Sequence, residues 1–235
     1  MAGTEDLVYL FRLFYNCAIE KIPDNFFCNC RSLVYAYYCF DHCNNLKELG
    51  DNLFKDLTSL TSIYSIAYSC PKLEIVGDSL FENCISLDAY DSSGVSNRMM
   101  LGGNNIPNQN LGTDYNIFMP FTGCPISKIG NNMYKNCTGL HSLLSKYYFD
   151  SSRGEALEMF HYITGSSKKI LHLGESTFEG CINLKYIGYM FYDSTVSNLP
   201  KTTFKGCKNV ISSYTMFMNC PFGLNLEEGI FDDMT

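Results

Sequence analysis

The sequence predicts an α/β solenoid of about seven coils of 26 or 27 residues, built from short parallel strands and short helical or 3₁₀ turns. Three observations predict it: evenly spaced cysteines, a phenylalanine three positions before most of them, and a pair of aliphatic residues after them. Ten of the 12 Cys, namely Cys17, Cys30, Cys43, Cys70, Cys84, Cys124, Cys137, Cys181, Cys207 and Cys220, fall on one ruler with steps of 13 or 14 residues. Thr4, Leu57, Ser167, Ser194 and Met234 fill its other marks. These are small or apolar residues, so the slot is expected to select volume rather than a thiol.

Each element follows from this ruler. Three residues before the marks stand Phe14, Phe27, Phe40, Phe54, Phe81, Phe121, Phe178, Phe191, Phe204, Phe217 and Phe231, with Ala67, Tyr134 and Thr164 as departures. Residues at i and i+3 share a face of a helical turn, so F-x-x-C predicts such a turn with Phe and Cys inward. After the mark comes L-x-x-I, as in Leu46 with Leu49 or Leu73 with Val76, and this predicts a short strand. Two kinds of unit alternate. In one, the second aliphatic is followed by Pro23, Gly50, Gly77, Gly130, Gly174 or Pro200, residues that end a strand in a tight turn. In the other, Phe11, Tyr37, Tyr64, Asp91, Leu144, Gly188 or Tyr214 stands there, so the strand is expected to continue for another residue or two. Thirteen residues cannot hold a strand, a turn and a return path, so one coil is two units. Stacked about 4.8 Å apart, roughly seven coils form a rod about 35 Å long.

Composition sets limits on function. With 235 residues and 46% hydrophobic content the chain is expected to fold throughout, as a single domain over 1–235. A net charge of -7 argues against nucleic acid or an anionic membrane surface as partner. No apolar run reaches the roughly 18 to 20 residues that cross a bilayer, so no membrane insertion of this segment is expected. Glu5 and Asp6 precede the first apolar stretch, the wrong order for a signal peptide.

Segments such as Cys43-N-N-L-K-E-L-G-D-N-L-F-K-D-L and Cys70-P-K-L-E-I-V-G-D-S-L-F-E-N-Cys84 resemble the BspA-like leucine-rich repeats, and so does Lys168-K-I-L-H-L-G-E-S-T-F-E-G-Cys181. That family's unit carries L-x-x-I, then I-G or I-P, then A-F-x-x-C. Its common unit is near 23 residues with one F-x-x-C, whereas the motif here occurs twice per 26 or 27. The resemblance implies a non-catalytic, adhesin-like module at the cell surface or secreted, recognising a protein or glycan on a host or neighbouring cell. A structural spacer or assembly module with end-to-end self-association is the alternative, and a polysaccharide-cleaving solenoid is a weaker one. Both ends lie inside the repeat, which reads as a fragment of a longer chain.

The ruler jumps between Cys84 and Cys124 and again between Cys137 and Ser167, placing insertions near 91–117 and 145–163. They are expected to protrude side by side, either as part of a binding face or as a tolerated expansion. Cys28, Cys39 and His42 with Cys30 and Cys43 faintly resemble a zinc site. Consecutive marks lie on opposite sides of a coil, however, so no metal or cofactor is expected. The cysteines are read as buried free thiols. His42, His141, His161 and His172 show no metalloprotease spacing, and no nucleophile or phosphate-loop motif occurs. The acidic residues of Gly50-D and Gly77-D are expected to cap the turn that follows them. Outward positions of the second kind of unit carry Tyr9, Phe11, Tyr35, Tyr37, Tyr64, Tyr186 and Tyr214, where the first kind places Lys47, Glu48, Lys128 or Asn198. Tyr9, Tyr35, Tyr37, Tyr64, Tyr186 and Tyr214 are the candidate partner-binding residues. The same rings stacked along the sheet would equally serve to cover it.

Overall fold

The computed structural model describes residues 6–64, 66–87, 121, 123–140, 170–185, 187–188, 190–191, 194–213, 216–220 and 224–234. The expected insertions near 91–117 and 145–163 lie outside the described residues, as do Thr4 and Ser167. Within the described residues the strands are short, parallel and sorted by kind of unit. Strands β1 (Tyr9–Phe11), β3 (Tyr35–Tyr37) and β5 (Ser62–Tyr64) form one sheet in the order β1-β3-β5. Strands β2 (Lys21–Ile22), β4 (Glu48–Leu49), β6 (Ile75–Val76), β7 (Lys128–Ile129) and β8 (His172–Leu173) form a second, in the order β2-β4-β6-β7-β8. Strands β9 (Asn198–Leu199) and β10 (Asn225–Leu226) pair separately. The strands of the first sheet are one residue longer, as the alternation of Tyr with Gly or Pro predicts.

Between the sheets lies one apolar core, with Leu33, Leu46, Leu60, Leu73, Leu87, Leu140 and Leu184 fully buried. Its spine is a stack of rings. Centroids run Phe27–Phe54 4.9 Å, Phe54–Phe81 5.4 Å, Phe81–Tyr134 5.3 Å, Tyr134–Phe178 5.4 Å, Phe178–Phe204 5.6 Å and Phe204–Phe231 6.3 Å. Truncating one such ring to Ala costs about 3–5 kcal/mol from cavity formation alone. Opposite it, Phe14 stacks on Phe40 at 5.8 Å and Phe191 on Phe217 at 5.7 Å.

The F-x-x-C segments are turns, not the helical or 3₁₀ elements that their spacing predicts: among the described residues no helix forms. Six of the described turns carry two residues with left-handed backbone, for example Asn52 (φ 57°) with Asp56 (φ 60°), and Ser79 (φ 57°) with Asn83 (φ 61°), and others carry one, such as Asn25 (φ 57°) or Gly206 (φ 79°). An α- or 3₁₀-helix cannot pass through such residues. Alternate amides instead donate to the next coil. Asn52 N–H reaches Asp78 O at 2.8 Å, Phe54 N–H reaches Leu80 O at 3.0 Å, and Asp56 N–H reaches Glu82 O at 2.9 Å. The turns are therefore zipped to one another as the strands are, which answers where their backbone donors go.

The cysteine slots also do more than fill volume. Cys43, Cys70, Cys84, Cys137, Cys181, Cys207 and Cys220 each donate the thiol to the backbone oxygen of the aromatic residue one coil back, at 2.7–3.1 Å. Cys124 does the same to Ala67 O at 3.3 Å. All twelve cysteines are free. Burial pushes the Cys43 thiol up to about 11 and the Cys207 thiol up to about 12.

Glycine after the second aliphatic has a different cause from a tight turn. A Cβ on Gly77 would lie 2.6 Å from the Gly50 carbonyl carbon and 2.8 Å from Asp51 N, so only glycine lets these coils approach. Where Pro200 takes this place the large sheet stops at β8. Pairing retreats to Leu171 opposite Val196, and the Asn198 side chain grips Leu173 instead, accepting from its N–H at 3.2 Å and donating to its oxygen at 3.0 Å. Proline has no N–H for the ladder.

Candidate binding surface

The two sheets present opposite chemistries to solvent. Along the five-stranded sheet the outward register is Lys21, Glu48, Ile75, Lys128 and His172. Lys21 Nζ donates to Glu48 at 2.7 Å, and Lys47 Nζ to Glu20 at 2.8 Å. The Lys47 hydrogen bond holds the Glu20 carboxyl below its ordinary range, and the one to Glu48 raises Lys21. Solvent screens exposed pairs of this kind, so they add little to stability. They keep the face hydrated.

The carboxylates after the glycines do not cap their own turns. Asp24 Oδ1 accepts the N–H of Asp51 at 3.0 Å, Asp51 Oδ1 that of Asp78 at 2.8 Å, and Asp78 Oδ1 that of Asn131 at 2.9 Å. Asn131 Oδ1 continues to Glu175 N–H at 2.9 Å. This column stitches the coils together.

The three-stranded sheet is aromatic. Its registers place Tyr9 beside Tyr35 and Ser62, and Phe11 beside Tyr37 and Tyr64. Tyr9 and Tyr35 stack at 5.2 Å with 15° between planes, and Tyr35 meets Tyr37 at 5.9 Å. Tyr9 is exposed, while Tyr35 and Tyr37 are half-buried. Tyr9, Tyr35 and Tyr37 share one face, and Tyr64 falls in register beside Tyr37 on β5. Tyr186 and Tyr214 lie outside the described residues. The stacking of Tyr9 on Tyr35 shows that these rings also cover the sheet.

Beside this face lies a cluster that sequence reading missed. Arg12, at the end of β1, sits among Phe11, Tyr15 and Tyr38, its guanidinium carbon 5.5, 5.1 and 5.5 Å from their centroids. Asp41 is buried beneath it, with Oδ2 3.8 Å from Arg12 Nε and Oδ1 2.5 Å from His42 Nδ1. The His42 ring lies 5.7 Å from both Tyr15 and Tyr68. Arg12 and Tyr38 occupy the first left-handed position of their turns and His42 the last, a backbone geometry that these residue types do not signal.

Among the described residues no three His, Cys, Asp or Glu converge as metal ligands. Cys39 is buried in the core and Cys28 half-buried. A recess of about 360 Å³ beside Cys28 is lined by Asn25, Arg31, Asn52, Lys55 and Asp56, with Lys55 already held by Glu82 at 2.9 Å.

A family model for the BspA type leucine rich repeat region matches residues 10–88 and 116–221 in 6 copies, well over half of the chain. The chain belongs to the BspA-type leucine-rich repeat family. Among solved structures, a leucine-rich repeat protein from Bacteroides ovatus ATCC 8483 is similar at 16% identity with a TM-score of 0.35. The match covers 94% of this chain and 46% of that one, so the chain spans about half the length of that protein. No curated protein matches. BspA-type repeats are generally interaction modules, and the doubled F-x-x-C of this chain gives them two unlike faces. No described helix is long and apolar enough to cross a membrane.

Proposed function

We propose that this chain is a non-catalytic, adhesin-like recognition module, acting at the cell surface or in secreted form on a protein or glycoprotein of a host or neighbouring cell. The observation that carries this reading is the aromatic face, with Tyr9 beside Tyr35 and Phe11 beside Tyr37 and Tyr64, set against a hydrated salt-bridged face on the other sheet. Tyrosine supplies rigid apolar area with a hydrogen-bonding tip, the composition of binding hot spots. Family membership supports the interaction role.

The test replaces Tyr35, Tyr37 and Tyr64 together with Ser and measures binding to immobilised extracellular matrix proteins and cell-surface glycoproteins. Loss of at least about 100-fold in affinity is expected, from hot-spot costs of roughly 1 kcal/mol or more for each of the three rings. A folded triple variant that binds as tightly as the parent refutes the assignment to this face. Tyr186 and Tyr214 belong to the same proposal and are tested by the same substitution.

A further inference from the structure

The partner of the aromatic face can be narrowed, on the footing of the recognition reading above, by asking what Arg12 lacks. Among the described residues none of its five donors makes a hydrogen bond, and its buried Nε stops 3.8 Å from Asp41 Oδ2. Yet a third of the side chain reaches the surface. The buried Asp41 balances its charge, and the rings of Phe11, Tyr15 and Tyr38 hold the guanidinium in place by cation–π contact. The result is a fixed cation whose Nη donors are uncommitted, at the rim of an aromatic face on a chain of net charge -7. A planar fork held in this way is complementary to one carboxylate taken bidentately.

The rings decide between a glycan and a protein as the bearer of that carboxylate. Sugars are held on open ring faces, and here the facing sides of Tyr9 and Tyr35 are spent on each other at 5.2 Å. The apolar side chains exposed around this stack are Tyr9, Leu13 and Tyr15. Tyr, Arg and apolar area on a shallow strip is the composition of protein-binding hot spots. We propose that the partner is a protein presenting an Asp or Glu carboxylate among apolar side chains, and that Arg12 is the residue that reads this carboxylate.

Binding of the chain is measured by biolayer interferometry to a random copolymer of glutamate and tyrosine, to a lysine–tyrosine copolymer, and to hyaluronan as a carboxylate-bearing glycan. The salt is physiological, so that the net charge is screened beyond about 8 Å. The glutamate copolymer is expected to bind, and the other two are not. Arg12→Lys keeps the charge but not the fork. The double change Arg12→Met with Asp41→Asn removes both charges in balance, so that no buried carboxylate is stranded. Each variant, checked for folding by circular dichroism, is expected to lose about tenfold or more in affinity for the glutamate copolymer.

Absence of copolymer binding, or undiminished binding by the folded double variant, overturns the proposal. So does Arg12-dependent binding of hyaluronan, which would assign the face to glycans. A ligand lost by the tyrosine triple variant but kept by both Arg12 variants leaves the recognition reading standing while this one fails. The reverse pattern fails the tyrosine face alone.

Discussion

Replacing Gly77 with Ala tests whether close approach of coils, rather than turn geometry, placed the glycine. The new Cβ would lie 2.6 Å from the Gly50 carbonyl carbon, 2.8 Å from Asp51 N and 2.5 Å from Asp51 Oδ1. Ordinary contact begins near 3.4 Å, so the neighbouring coil must retreat by about 0.8 Å. Two hydrogen bonds cross that gap at 2.8 Å, Gly77 N–H to Leu49 O and Asp78 N–H to Asp51 Oδ1. Lengthened by this amount, neither survives. Their loss costs about 1 kcal/mol each and the overpacking about 1–3 kcal/mol, while restricting the unfolded chain returns about 0.4–1 kcal/mol. A net loss of roughly 2–4 kcal/mol is expected, read by urea denaturation followed by far-UV circular dichroism under reducing conditions. Because each coil rests only on its neighbours, a falling m-value would accompany it as the stack loses cooperativity. Repeating the change in an Asp51→Ala background removes the one movable side chain from the clash. A loss below about 1 kcal/mol, or one abolished in that background, would show that the carboxylate and not the backbone carries the conflict, and would refute the reasoning.

Asp51→Ala alone is expected to lower stability by about 1 kcal/mol, because Asp78 N–H loses its acceptor, whereas Asp51→Asn keeps an oxygen there, as Asn131 does farther along. Both changes remove the same charge from the Asp24, Asp51 and Asp78 column, so the Asn variant should be the more stable of the two by a margin that added salt leaves unchanged in the same urea titration. Alkali should unfold the chain in a window set by its thiols. Burial raises Cys207 to about 12, so the folded state keeps a proton that the unfolded state has lost. Its stabilising contribution is complete below the ordinary thiol range and falls by about 1.4 kcal/mol per pH unit above it, ending near the folded value. Cys207→Ala should flatten that pH slope in thermal melts, and an unchanged slope would remove the thiol from the account.

The repeat, the two kinds of unit and the parallel strands were legible because volume and period are written residue by residue: Phe54, Phe81 and Phe178 each stand three places before a mark and stack as expected. The turns were not, because F-x-x-C has helical spacing whether or not the backbone is helical. The discriminating signal was the residue just before the mark, Asp56, Asn83, Asn136 or Gly180, types that tolerate the left-handed region. Inter-coil partners such as Asp24 with Asp51 were illegible for another reason. A carboxylate beside a turn looks the same whether it serves its own amides or those 27 residues away. The aromatic face was legible from Tyr9, Tyr35 and Tyr37, since alternation in a strand sends every second side chain outward. The Arg12 and Asp41 pairing was not, because it joins two coils across residues in irregular turns.

The interruption at Pro200 gives the molecule a place to yield under load. Across it, the turns stay fastened by Phe178 N–H to Thr203 O at 2.8 Å and Gly180 N–H to Lys205 O at 2.9 Å, while this strand side holds through one bridge, the amide of Asn198 and the hydroxyl of Ser197. A tug that bends the molecule away from its strands would therefore open like a book at this seam, with the turns as binding. The pages on either side stay intact, and the tyrosines of β1, β3 and β5 lie wholly on one of them.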